Sequence, residues 1–101
     1  MTPEQQMQME AHAWRKLVSH FQKRTDVQNI DLMVMAGFCR NCMSKWLMSG
    51  ATEAGVEMDY DQARELVYGM SYEQWKAEYQ PKATPEQIAA YNAISDDQIT
   101  E

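Results

Sequence analysis

Between residues 30 and 54 the apolar positions follow a helical period. Leu32, Met35, Cys39, Cys42 and Trp46 recur at spacings of three and four, which at roughly 100° per residue gathers them on one face. From Ile30 to Cys39 the segment is apolar on nearly every side, so it must be surrounded. A second file, Gly37, Asn41, Ser44 and Met48, has the same spacing and mostly small side chains, which lets another backbone come close. The pattern predicts one long central helix over about 30–54 with two packing faces. Gly55 is its stop and Asp26 or Asn29 its cap.

The flanking segments carry their own punctuation. Thr2, Pro3 and Gln5 supply an N-cap, a first-turn proline and a capping box for a helix over 3–23, whose stripe is Met7, Ala11, Trp14, Leu17, Val18 and Phe21. Asp59 with Gln62 opens a helix over 60–68 that Gly69 ends. Ser71 with Gln74 opens another over 72–80 that Pro81 closes. Tyr68, Tyr72, Trp75 and Tyr79 keep a four, three, four spacing across that glycine, the mark of an aromatic packing surface. Thr84-Pro85-Glu86-Gln87 repeats residues 2–5 and starts a last helix over 85–94; nothing downstream is duplicated, so the repeat reflects shared capping chemistry. Residues 95–101 read as a polar, frayed tail. No stretch alternates at period two, so the prediction is a single all-α domain over 1–101.

Composition narrows the partners. Apolar residues make up 45 % of the 101, with few glycines and prolines, which excludes a disordered segment. The longest apolar run, Leu32 to Cys39, is far shorter than the roughly 20 residues a bilayer needs. The first residues lack the basic then apolar pattern of a signal peptide, so the expected location is the cytoplasm. Net charge is −6, divided as +2 over residues 1–50 and −8 over 51–101. Such acidity argues against nucleic acid or an anionic membrane as partner, because both reward a basic face. The cluster Arg15, Lys16, Lys23 and Arg24 is better explained as a solvated face that also meets the acidic half.

Cys39-Arg40-Asn41-Cys42 is the one arrangement with reactive potential. Placed about ten residues inside a helix, the pair lacks the N-terminal dipole that stabilises a thiolate in redox enzymes, which argues against redox catalysis. Cysteines at i and i+3 can chelate a metal such as zinc, but one chain offers two thiolates. The set would need His12 and His20, or the same cysteines of a two-fold related subunit. The simplest reading is a pair of buried thiols acting as small hydrophobes, with no cofactor. Carboxylates in Glu57-Met-Asp-Tyr-Asp suggest calcium, but the loop's glycine and closing glutamate are missing. Arg40, Asn41 and Lys45 form a polar strip. If buried, the cations need acids; if they face a cleft with Tyr72 and Trp75, the strip suits a small anionic ligand or an enzymatic site. No general base can be named.

Arg24-Thr-Asp-Val-Gln-Asn-Ile-Asp-Leu-Met, Ala36-Gly-Phe-Cys-Arg-Asn-Cys, Ser44-Lys-Trp, Ala63-Arg-Glu, Val67-Tyr-Gly-Met and Trp75-Lys together resemble the small bacterial family known as domain of unknown function 1244. The resemblance covers about Trp14 to Gln87 and departs from the usual pattern at Leu47 and Ser71. It implies an all-helical fold and an intertwined homodimer of mainly three-helix subunits, and it implies no reaction and no catalytic residue. The expectation is therefore a cytoplasmic homodimer acting as a non-catalytic interaction or regulatory module, with itself as partner and an unidentified protein or small anion as a further one. The alternatives are a metal or thiol site at Cys39 and Cys42, or an anion-binding cleft at Arg40, Asn41, Lys45, Tyr72 and Trp75.

Overall fold

Local capping chemistry starts most of the helices in the computed structural model, which describes residues 1–100. The chain forms α1 (Pro3–Lys23), α2 (Asn29–Ala36), α3 (Arg40–Glu53), α4 (Tyr60–Tyr68), α5 (Tyr72–Tyr79), α6 (Pro85–Asn92) and a 3-10 turn at Asp96–Gln98. The described residues contain no strand. Thr2 with Gln5, Asp59 with Gln62 and Thr84 with Gln87 each close a reciprocal capping box. Ser71 completes only its own half, accepting from the Gln74 N–H, while the Gln74 side chain turns to Glu78.

The predicted central helix over 30–54 is in fact two. Gly37 ends α2 in the left-handed region at φ 76°, its N–H returning to the Met33 carbonyl, and Cys39 becomes the N-cap of α3. The break is covered from far along the chain. Residues predicted to fray instead fold over the break: the Thr100 N–H donates to the Gly37 carbonyl over 2.8 Å, and Ile99 packs on Leu32, Met33 and Cys39. A Cβ on Gly37 would overlap the Gln98 carbonyl oxygen. Glu101, the last residue of the predicted tail, lies outside the described residues. Neither Asp26 nor Asn29 caps α2. Asp26 pairs with Arg24, and Gln28 occupies the N-cap without a side-chain bond.

α3 lies along α4, the most extensive helix pairing, and Met43, Val67, Tyr68 and Trp75 form the main core between them and α5. Trp14, Val18 and Phe21 bring the C-terminal half of α1 onto it. Gln22 fastens that half by donating to the Leu66 and Val67 carbonyls at the end of α4. α3 ends at a Schellman turn in which the N–H groups of Gly55 and Val56 return to Thr52 and Ala51. α2 packs against α6, joined by Gln87 donating to Asp31.

Half of α1 has no such cover. Residues 1–10 are all exposed, Met7 and Met9 by 61 % and 60 %, and no residue of α1 is fully buried. The radius of gyration is 15.1 Å against the roughly 13 Å of a compact chain of this length. Among the described residues no helix is long and apolar enough to cross a membrane.

Candidate functional site

The break at Gly37 relocates the cysteine motif. Cys39 and Cys42 are the N-cap and third residue of α3 rather than interior positions of one long helix. That position restores the dipole the single-helix reading had denied them. Burial nevertheless dominates: it pushes the Cys39 thiol above its ordinary value, against the favourable N–H groups of Cys42 and Asn41, and Cys39 is 6 % exposed. No side-chain capping bond forms there. Cys42 is half-buried, its Sγ 4.0 Å from Met33 Sδ. Among the described residues no group of three or more His, Cys, Asp or Glu side chains could hold a metal ion, and His12 and His20 are exposed on α1.

Arg40, the first residue of α3, is 1 % exposed and is met by no carboxylate among the described residues. Its guanidinium instead reaches into the end of α1. Nη2 donates to the Phe21 and Arg24 carbonyls at 3.3 and 2.9 Å, and Nη1 donates to the Val27 carbonyl at 2.7 Å and Asn29 Oδ1 at 3.1 Å. The last carbonyls of a helix carry its negative dipole end, so they stabilise the cation as acids would. The rings of Phe21 and Trp75 lie 5.2 and 4.8 Å from the guanidinium carbon and complete its cage. Only Nε lacks a partner.

From this cation a one-way series of hydrogen bonds leads outward. Arg40 donates to Asn29 Oδ1, Asn29 Nδ2 donates to the Tyr68 hydroxyl over 3.0 Å, and that hydroxyl donates to Asn41 Oδ1 over 2.7 Å. Burial raises the pKa of the Tyr68 phenol, which therefore keeps the proton it donates. Each donor polarises the next. The series ends at a cavity of about 270 Å³ whose lining includes Asn41, Asn29, Ile30, Tyr72, Gln80 and Gln87.

The residues of the predicted cleft therefore separate. Asn41 and Tyr72 share the cavity; Arg40 and Trp75 are buried behind it in the core. Lys45 is exposed elsewhere, its Nζ 5.8 Å from the Tyr60 ring. Asn29, Tyr68, Gln80 and Gln87 are not among the site residues the sequence suggests; Asn29 and Gln87 stand out there only as capping residues. In the sequence Tyr68 belongs to the aromatic stripe and to the Val67-Tyr-Gly-Met motif, and its ring meets those of Tyr72 and Trp75 edge-on, with centroids 5.4 and 5.1 Å apart. Asn29 gave a faint signal, a polar residue opening an apolar helix.

A second concavity, of about 410 Å³, lies between α1 and the C-terminal half of α3. Trp14, Trp46, Leu47, Ala51, Val56 and Met58 line it, and its walls are almost wholly apolar.

A model of the family described as "Protein of unknown function (DUF1244)" matches residues 27–93. No curated protein matches the chain.

Proposed function

Since the chain belongs to the DUF1244 family, matched over 67 of its 101 residues, and that family's description names no activity, we propose from the geometry a non-catalytic interaction module that works as an intertwined homodimer. The observation that carries this reading is the coexistence, on one chain, of an uncovered and mostly polar helix half that exposes Met7 and Met9 and of an open apolar groove. Met7 and Met9 stand in water on the unsupported half of α1, and the groove between Trp14 and Trp46 has nothing to fill it.

A second copy is the occupant that satisfies both at once. In a two-fold pairing the N-terminal half of each α1 lies in the partner's groove, so every contact is made twice. The extended outline of one chain, 48 Å in its longest dimension, fits a subunit whose arm is meant to cross another. Burial raises the Cys39 thiol pKa above its ordinary value, which disfavours it as a nucleophile. A cytoplasmic location remains the working expectation, and other proteins would meet the outer faces of the pair.

Sedimentation velocity tests the assembly. Wild-type protein is expected to run as a dimer at about 1 µM, which needs roughly 8 kcal/mol of association. Ala51→Arg places a charge in the groove and is expected to yield a folded monomer with unchanged helicity. A wild-type monomer at that concentration, or a dimeric Ala51→Arg variant, overturns the proposal.

A further inference from the structure

We propose that the cavity between α2, α3 and the α5–α6 turn is a binding site for a small organic molecule that presents a carbonyl or carboxylate oxygen to Asn41. The proposal is independent of how subunits pair.

The direction of the hydrogen bonds carries it. Asn41 uses its side-chain oxygen to accept from Tyr68, which leaves its Nδ2 amino group and two N–H donors at the cavity wall. Behind that amino group stand Tyr68, Asn29 and a permanently charged guanidinium, every bond pointing the same way. A donor so polarised favours an oxygen acceptor. It disfavours an ammonium, which would have to approach the positive end of the series. Reversal is blocked at the far end, because Arg40 can only donate.

The remaining wall fits a compact body attached to that oxygen. Ile30 and Pro81 supply apolar surface, and Tyr72 presents a ring and a hydroxyl. Gln87 is occupied by Thr84 and Asp31, so the Gln80 amide is the second adaptable polar group. At about 270 Å³ the cavity takes a fragment-sized ligand, just below the roughly 300 Å³ where drug-sized pockets begin. It mixes polar and apolar walls as small-molecule sites do.

Nuclear magnetic resonance titration of the full chain tests the assignment with three probes. Benzoate and acetophenone carry an acceptor oxygen; benzylamine carries only donors. At least one acceptor probe is expected to give saturable shifts at millimolar concentration, largest at the Asn41 side-chain amide, with nuclear Overhauser contacts to the Ile30 methyls and the Tyr72 ring. Asn41→Asp still accepts from Tyr68 but replaces the donors by an oxygen. It is expected to weaken the acceptor probe by tenfold or more and to admit benzylamine. The wild-type contacts locate the probe even if that variant does not fold. Failure of both acceptor probes to bind, contacts elsewhere, equal binding of benzylamine to the wild type, or an unchanged affinity in Asn41→Asp would overturn the proposal.

Discussion

Replacing Arg40 by lysine preserves the charge and most of the stem while removing the fork, and the structure gives the cost. The guanidinium serves four acceptors on α1, on the α1–α2 connection and on α2, with its two Nη atoms each taking two. An ammonium carries three N–H donors on a single atom, so at least one of the four acceptors loses its partner, and because the four are spread over two Nη atoms the expected number is two. Each buried orphan costs about 1–3 kcal/mol. Weaker cation–π contact with the Phe21 and Trp75 rings adds roughly 0.5–2 kcal/mol. The sum is about 2.5–8 kcal/mol, a large part of the roughly 5–15 kcal/mol that holds a domain of this size together. At about 4–8 °C per kcal/mol, Arg40→Lys is expected to melt at least ~10 °C below the wild type. Circular dichroism at equal protein concentration is the assay, because association shifts Tm by mass action. A variant melting within about 4 °C of the wild type would refute the claim that this side chain joins α1 to α3.

Two further outcomes follow from single residues. Gly37→Ala is expected to cost at least about 1–2 kcal/mol, the penalty for a left-handed non-glycine residue, and to displace residues 98–100; an unchanged melting curve would show the break to be tolerant. Stability should also fall in alkali: burial raises the folded pKa values of Cys39 and Tyr68 above their ordinary 9.0 and 10.0. Their contribution is therefore complete below the unfolded values, where both states hold the proton, and is lost as pH rises through them, because the unfolded chain releases protons first. Urea midpoints measured between about pH 8 and 11 should decline in the wild type and decline less steeply in Tyr68→Phe; equal slopes would exclude Tyr68 from the effect.

What could be read from the residue order was what is decided within a few residues. Thr2 with Gln5, Asp59 with Gln62, and the left-handed glycines at 55 and 69 announce their helix ends because the bonds that make them so are local. Gly37 looked like a tolerated interior glycine, since the apolar period runs through it undisturbed and the groups that fix its conformation, Gln98 and Thr100, are distant in sequence. That one error misplaced the cysteine pair within its helix. From the sequence Arg40 reads as a cation that needs acids if buried, or as part of an anion cleft with Tyr72 and Trp75 if not. Its partners are main-chain carbonyls, which no side-chain pattern reveals. The cavity was half legible: Asn41 and Tyr72 were singled out, while Gln28, Gln80 and Gln87 come together only when α2 meets the α5–α6 turn.

The strap formed by Ile99 and Thr100 over the α2–α3 junction has a consequence for synthesis. A ribosome delivers Gly37 and Cys39 well before the residues that shelter them. Until residues 99 and 100 arrive, the Gly37 carbonyl lacks its Thr100 partner and Cys39 lacks the cover of Ile99. The reactivity of Cys39 toward an alkylating reagent on nascent chains stalled before and after those residues would mark the moment at which the junction is sealed.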